Sequence, residues 1–254
     1  MALSDAIESF KGHLETLPDR QKPKEILRKR PLPLYRAHGI TDPKKLVAQL
    51  VSDRLVASRE MAMGYLYERI MEEVCAAIKL TNSEKKEWKG IDFRKETNDE
   101  TLLINLKSSR ATSNADISDA TQRNLVAAAK HEQDKQSKRA SSGDDNPLSK
   151  VERKIVPMRA IARGVSSPET IKTVNQVDIR IVVGDTLWKR LGAGANFTRK
   201  IEAALGAQPV DTKVVADAEE ALRQKLLSEL ASNGCIQKDG SLNWPAVLKA
   251  FPDQ

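Results

Sequence analysis

The stretch from Lys89 to Arg110 constrains the fold more than any other part of the chain, because its second half alternates as a β-strand does. Strand side chains point to opposite faces in turn, so Asn105 and Lys107 share one face and Leu106 points to the other. A shorter segment carrying Asp92 precedes it, and a polar turn joins the two. The sequence therefore predicts a hairpin with an acid on its first strand and a polar-x-Lys pair ending its second.

Helical patterns surround this hairpin. Apolar residues recur at helical spacing in 3–17, 42–57, 59–79, 116–133, 197–205, 214–231 and 244–251. Alternation predicts further strands at 154–162 and 177–183. Strands near the middle of the chain with helices on both flanks predict a mixed α/β (α+β) fold.

We expect one domain over residues 1–254. It would comprise a helical, basic N-terminal part at 1–57, a core at 58–191 and a helical C-terminal part at 192–254. The charged segment 133–153 predicts a long loop. The basic, proline-containing segment 22–36 is either a solvated connection or an arm along phosphates, and the sequence leaves both open.

The composition of the chain narrows the classes of molecule that it could bind. A net charge of +7 and a pI near 9.3 favour an acidic partner, for which duplex nucleic acid is the usual candidate. Aromatic residues make up only 4%, which argues against base stacking on single strands. Cys75 and Cys235 lie far apart and indicate neither a disulfide framework nor a zinc site. With no apolar run long enough for a membrane span, a cytoplasmic location is expected.

The hairpin carries groups suited to phosphodiester hydrolysis. That reaction needs an activated water and positive charge over the developing oxyanion, which a carboxylate-held divalent ion and a lysine can supply. Asp92 and the Leu106 carbonyl provide oxygen ligands of the kind that Mg²⁺ prefers, and Lys107 provides the ammonium. An ordinary hairpin with an exposed acid and lysine has the same pattern, so the hairpin alone does not decide.

The ordered series of segments resembles the PD-(D/E)XK nuclease superfamily, and within it the type II restriction endonucleases that cut GGNCC-type interrupted palindromes, including RGGNCCY. The similar segments are Gly90–Asp92 with Ile104–Lys107, the helix Gly64–Ile70, Met158–Gly164, Val177–Trp188 and the tail Asp239–Leu248. The resemblance implies a central mixed β-sheet flanked by helices, with additional N- and C-terminal helices. It also implies a homodimer that cuts double-stranded DNA with Mg²⁺, as part of restriction-modification in the cytoplasm of a bacterium or archaeon.

One residue departs from the family pattern. Asn105 stands two residues before Lys107, where the family usually has Asp or Glu, and a neutral amide would hold Mg²⁺ less tightly. Three explanations remain open. The second carboxylate comes from elsewhere, with Glu68 the first candidate and Asp116 or Asp119 the others; or Asn105 replaces an acid and abolishes cleavage; or the enzyme is weak.

The resemblance also implies DNA-reading residues around the hairpin. The polar run after Lys107 leads into a helix, and arginine and asparagine side chains can pair with base edges. A structural alternative is that the same run caps that helix. The candidates are Ser108, Ser109, Arg110, Thr112, Asn114, Gln122, Arg123, Arg159 and Arg163.

The hypothesis is thus a Mg²⁺-dependent type II restriction endonuclease in which Asp92, Asn105 and Leu106 bind metal, Lys107 orients the water and Glu68 supports the site. A catalytically weak or inactive duplex-binding protein is the main rival, and Asn105 is the argument for it. A repair or junction nuclease is a third reading, which cleavage dictated by DNA structure would reveal.

Overall fold

The computed structural model describes residues 2–109, 115–141, 153–207 and 209–252, with side chains for all of these except 115–118 and 139–141. The helices of these ranges are α1 Ala2–Glu15, α2 Pro23–Arg28, α3 Leu32–Ala37, α4 Pro43–Glu73, α5 Glu84–Glu87, α6 Ala115–Ser141, α7 Asp185–Arg190, α8 Phe197–Ala207, α9 Thr212–Ser232 and α10 Trp244–Ala250. The strands are β1 Ile78–Lys79, β2 Phe93–Glu96, β3 Glu100–Lys107, β4 Lys154–Ile161, β5 Thr170–Val174 and β6 Val177–Val183. Within the described ranges, no helix combines the length and apolar character that a membrane crossing requires.

The six strands form one mixed sheet in the order β1-β2-β3-β4-β6-β5. β3, β4 and β6 run parallel, whereas β1, β2 and β5 pair antiparallel with their neighbours. Helices flank this sheet, so the predicted α/β class with a central mixed sheet is confirmed.

The parallel pairing of β3 with β4 sets what lies at one edge of the sheet. Asn105 is opposite Arg159 and Lys107 is opposite Ile161. Because paired residues point to the same face, Arg159 shares the face of Asn105 and Lys107. The carboxyl ends of both strands therefore meet beside the predicted site.

Helix α6 covers that face of the sheet. Alanines and leucine at helical spacing give it a strong helical preference and an apolar stripe. Its Leu125, Val126 and Ala128 join a buried cluster with Leu103 of β3 and Ile179 of β6. The cluster fixes α6 against the strands whose ends carry the candidate site.

The chain divides into two compact units. The first consists of Gly64–Gly206 with the start of α1 and contains the whole sheet; the second consists of Ile7–Met63 and the chain from Ala207 onward. The second unit has its own core, in which leucines of α2, α4 and α9 pack with Trp244 and Phe251. The expectation of a single domain over 1–254 stays a prediction.

The prediction of separate helices at 42–57 and 59–79 is wrong. Pro43–Glu73 is one continuous helix, since no proline or glycine stands where the two patterns meet. It ends before Ala76, whose positive φ of 49° turns the chain, and the Ala77 N–H donates to the Met71 carbonyl. Ile78 is consequently an exposed residue of edge strand β1 rather than part of a buried helical stripe.

Three further segments differ from expectation. The basic segment 22–36 forms the short helix α2 and all but the last residue of α3, and each helix has proline in its first turn. Residues 133–141 extend α6 instead of starting the predicted loop, and 142–152 lie outside the described residues. β5, an edge strand with exposed residues, was not predicted because its sequence lacks a buried face.

Tyr35 gives the second unit a pH-dependent contact. Burial, followed by the hydrogen bond to Asp53 Oδ2 at 2.7 Å, raises the pKa of its hydroxyl from 10.0 to about 12. The unfolded chain loses this proton first, so the free energy of unfolding should fall between about pH 10 and 12. Tyr35→Phe should cost about 1 kcal/mol at neutral pH and remove that slope, as measured by denaturant unfolding.

The exposed Tyr65 supplies the control. Tyr65→Phe should leave both the neutral-pH stability and the alkaline slope unchanged. An identical alkaline slope in the Tyr35→Phe variant would contradict the assignment.

Candidate active site

Asp92 lies immediately before β2, where its backbone is fixed on both sides. Its N–H donates to the Ile104 carbonyl at 2.8 Å, and its carbonyl accepts from the Leu80 N–H at 3.0 Å. The sequence predicts Asp92 on the first strand of the hairpin. In the structure it lies one residue before that strand, although its backbone hydrogen bond to Ile104 continues the pairing with β3. Its side chain is held at a defined place beside β3.

The Asp92 carboxylate is bound to the end of β3. Oδ2 accepts from the Leu106 backbone N–H at 2.9 Å and from Asn105 Nδ2 at 3.3 Å. Burial raises the pKa of this carboxyl above its ordinary 3.8, while the Leu106 hydrogen bond and the ammonium charges of Lys107 and Lys85 oppose the shift. The site therefore holds a carboxylate that is short of compensating positive charge.

Asn105 has one satisfied and one unsatisfied side-chain atom. Its Nδ2 donates to the Gly90 carbonyl at 2.8 Å as well as towards Asp92. The residue is buried, and Oδ1 finds no hydrogen-bond partner among the described residues. A buried carbonyl oxygen without a partner is costly, which makes it a candidate ligand for a cation.

Leu106 and Lys107 complete the end of β3. The Leu106 carbonyl points to the same side as the Ile104 carbonyl, since alternate carbonyls of a strand share a direction, and this is the side of Asp92. Lys107 shares the face of Asn105, and its charge lowers the pKa of Asp92. The structure therefore brings together Asp92, Asn105, Leu106 and Lys107.

Glu68, on α4, acts on the same centre. Its negative charge contributes to raising the pKa of Asp92. Its carboxylate is paired with Lys79 Nζ at 2.8 Å, and Glu72 lies 3.9 Å from the same ammonium. This pairing raises the pKa of Lys79. Glu68 is thus near the site and already engaged with a cation of the protein.

The oxygen atoms present suit Mg²⁺. Asp92 supplies a carboxylate, Asn105 the unpartnered amide oxygen and Leu106 a backbone carbonyl, all of them hard oxygen ligands. Among the described side chains, no three His, Cys, Asp or Glu residues cluster closely enough to hold a metal. The suitability of the site for Mg²⁺ therefore depends on the amide of Asn105 and the carbonyl of Leu106 as well as on the carboxylate of Asp92.

Several predicted DNA-reading residues lie at the same edge. Strand pairing continues past the ends of β3 and β4, where the Arg163 N–H donates to the Ser108 carbonyl at 3.0 Å. Arg163 is exposed, whereas Ser108, Ser109 and Arg159 are half-buried. These four residues line the edge next to Lys107.

The remaining predicted residues belong to α6 or lie outside the described residues. On α6, Arg123 and Asp119 are exposed and Gln122 is buried. Arg110, Thr112 and Asn114 lie outside the described residues, as does the side chain of Asp116.

Sequence reasoning missed two residues at this centre. Lys85 Nζ lies 3.9 Å from Asp92 Oδ1, and the Gly90 carbonyl anchors Asn105. The pattern Thr81-x-x-Glu84 predicts a helix start next to Lys85, but it does not predict that the Lys85 side chain approaches Asp92.

Gly90 is required by its conformation and its surroundings. Its φ is +80°, and a Cβ there would lie 2.9 Å from Asn124 Nδ2. Gly90→Ala should therefore lower the free energy of unfolding by roughly 1–2 kcal/mol, measured by thermal denaturation. Gly12→Ala, at a helical glycine with open space around it, should have no such cost. Equal melting temperatures for the Gly90→Ala variant and the wild type would refute this requirement.

Asp92 should reduce the stability of the metal-free protein. Its folded-state pKa is raised, so the unfolded chain releases the proton at lower pH and stability falls as pH rises from about 4 towards that pKa. Asp92→Asn should therefore raise the melting temperature by a few degrees at neutral pH and by less in acid. Asp239→Asn should instead lower the melting temperature at neutral pH, because hydrogen bonds from Ser241 lower the pKa of Asp239. A neutral-pH loss of stability in Asp92→Asn would contradict this account.

A protein-family model matches the part of the chain that carries this site. The model is described as type II restriction endonuclease EcoO109I and matches residues 3–143, more than half of the 254 residues. The match includes Glu68, Asp92, Asn105 and Lys107. It begins nearer the N-terminus than the segments that carry the resemblance in the sequence, and the segments after residue 143 lie outside it. No curated protein matches the chain. The chain belongs to the family of the type II restriction endonuclease EcoO109I.

Proposed function

We propose that this protein is a Mg²⁺-dependent endonuclease that cuts double-stranded DNA at a palindromic site. The observation that carries the proposal is the buried Oδ1 of Asn105, an oxygen without a partner among the described residues. It belongs to the amide whose Nδ2 lies 3.3 Å from Asp92 Oδ2. Membership of the restriction-endonuclease family supports it.

Asp92, Asn105 and Leu106 would hold the ion through their oxygen atoms, and Glu68 would add negative charge from α4. When bound, Mg²⁺ supplies Lewis-acid charge and lowers the pKa of a ligand water. Asp92 is suited to this role because burial leaves its charge poorly compensated. The hydrogen bond from Leu106 fixes its orientation beforehand.

Lys107 would orient the nucleophile. Hydrolysis forms a bond between the water oxygen and phosphorus and breaks the bond from phosphorus to the leaving oxygen. An ammonium beside the scissile phosphate can hold the attacking water and stabilise the negative charge that develops on the phosphoryl oxygens. Lys107 stands next to Asp92 on the face that carries Asn105, which is the position that this role needs.

Ser108, Ser109, Arg159 and Arg163 would contact DNA next to the centre. Their position at the edge beside Lys107 would place them along the strand that is cut. The net charge of +7 favours a polyanion. We further propose a homodimer, because a palindrome has two equivalent halves and a two-fold protein matches its symmetry.

A DNA-binding protein without cleavage is the second candidate, and one contact favours it. Asn105 Nδ2 donates towards Asp92, so the amide partly satisfies the carboxylate that a metal would otherwise neutralise. In that case sequence-specific binding would be independent of Mg²⁺.

Digestion of a defined plasmid set with Mg²⁺, followed by sequencing of the ends, tests the proposal. The wild type should cut at one recurring site. Asp92→Ala and Lys107→Met should each reduce cleavage on the order of a hundredfold or more, because each removes charge that acts on the transition state. Asn105→Asp should cut at lower Mg²⁺ concentration, because it adds a negative ligand.

The outcomes separate the two candidates. Cleavage by Asn105→Asp but not by the wild type, together with sequence-specific binding by the wild type, would support the second candidate. If neither the wild type nor Asn105→Asp nor Asn105→Glu cuts any duplex, the nuclease proposal fails. Lys130→Met, a change at an exposed lysine of α6, controls for the loss of one positive charge.

A further inference from the structure

Lys85 lies beside the candidate centre without being fully engaged there. Its Nζ is 3.9 Å from Asp92 Oδ1, which is an ion pair but longer than a hydrogen bond. Among the described residues, no hydrogen bond from this ammonium is present, although it has three donors. Lys79 differs, because it is hydrogen-bonded to Glu68 at 2.8 Å.

The start of α5 holds the backbone of Lys85 in place. The Thr81 N–H donates to Glu84 Oε2 at 2.8 Å, and the Glu84 N–H donates to Thr81 Oγ1 at 3.3 Å, which is a reciprocal helix cap. The Lys85 N–H donates to the Thr81 carbonyl at 2.9 Å. The residue just before the cap, Leu80, is tied to the Asp92 carbonyl.

The end of α5 is anchored by a buried aromatic side chain. Trp88 is buried, its N–H donates to the Glu84 carbonyl at 2.8 Å, and its ring Nε1 lies 3.0 Å from His131 Nδ1 on α6. Both ends of α5 are therefore attached to the framework that also holds Asp92. A lysine on so fixed a backbone loses less freedom on binding than one on a loose loop.

We propose that Lys85 binds a non-bridging oxygen of the phosphodiester that is cut, or of the phosphodiester next to it. This inference rests on the proposed nuclease function and adds a substrate-binding residue to it. The ammonium stands on the Oδ1 side of Asp92, whereas Oδ2 is taken by Leu106 and Asn105. Before DNA binds, Lys85 balances the charge of Asp92; in the complex it balances a phosphate.

The test compares Lys85→Met with Lys86→Met, a matched change at the exposed neighbouring lysine of the same helix. The full-length protein is bound to a duplex containing the site identified by digestion, with Ca²⁺ replacing Mg²⁺, and affinity is followed by fluorescence anisotropy. Lys85→Met should weaken binding roughly tenfold and reduce the slope of log affinity against log salt by about 0.9. Lys86→Met should change neither the affinity nor the slope. Lys85→Met should lower the melting temperature slightly, because it removes the ion pair with Asp92, but it should leave the protein folded at the temperature of the binding measurement.

A neutral methylphosphonate placed singly at the scissile phosphate or at either neighbour identifies the contact. At one of these positions the neutral group should weaken wild-type binding roughly tenfold but leave Lys85→Met unaffected, because the variant no longer has the charge that the phosphate meets. Lys85→Arg should restore the sensitivity. If Lys85 only neutralises Asp92, the methylphosphonate penalty will be the same in wild type and Lys85→Met, and the proposal is overturned.

Failure of the underlying function gives a different result. If no duplex is cut or bound in preference to others, the nuclease proposal itself falls and the phosphate role of Lys85 falls with it. If a specific duplex is bound and Lys85→Met behaves as Lys86→Met does, only the role of Lys85 is rejected.

Discussion

The hydrogen bond from the Leu106 N–H to Asp92 Oδ2 is the contact on which the candidate centre depends. It joins the carboxylate of the residue that precedes β2 to the C-terminal end of β3, and so ties the two strands of the hairpin together. It also explains how a buried carboxylate is tolerated, because a backbone donor recovers part of the desolvation cost. Since β3 pairs with β4 in parallel, the same contact sets the position of Asp92 relative to Ser108 and Arg163 at the sheet edge.

The charged side chains around this bond are paired with one another even without a ligand. Lys79 neutralises Glu68, and Lys85 partly neutralises Asp92. These two pairs differ in strength, because the first is a hydrogen bond at 2.8 Å and the second an ion pair at 3.9 Å. An incoming cation would therefore compete less with the protein's own ammonium at Asp92 than at Glu68. This difference supports the proposal that Asp92 would be the primary ligand and Glu68 a supporting one.

The sequence predicted the parts of this centre that are local and missed those that are not. Period-two alternation placed Asn105 and Lys107 on one face of β3, and the pattern at 177–183 gave the bounds of β6. Lys85 could not be assigned, because its approach to Asp92 depends on the pairing of Leu80 with Asp92 and on Trp88 packing against α6. Ile78 was misplaced for a related reason: its apolar side chain continued the helical spacing, but the turn at Ala76 moved it to an exposed sheet edge.

The amide at Asn105 solves an electrostatic problem of the metal-free protein. Its Nδ2 faces two acceptors, the Gly90 carbonyl and Asp92 Oδ2. A carboxylate in the same place would direct negative charge at both acceptors, and without a cation the two buried acids would repel each other. An amide instead donates to both and leaves only Oδ1 unsatisfied. Asn105 therefore favours a folded, ordered centre in the absence of a cation, and it lacks the negative charge with which an acid at this position would attract one.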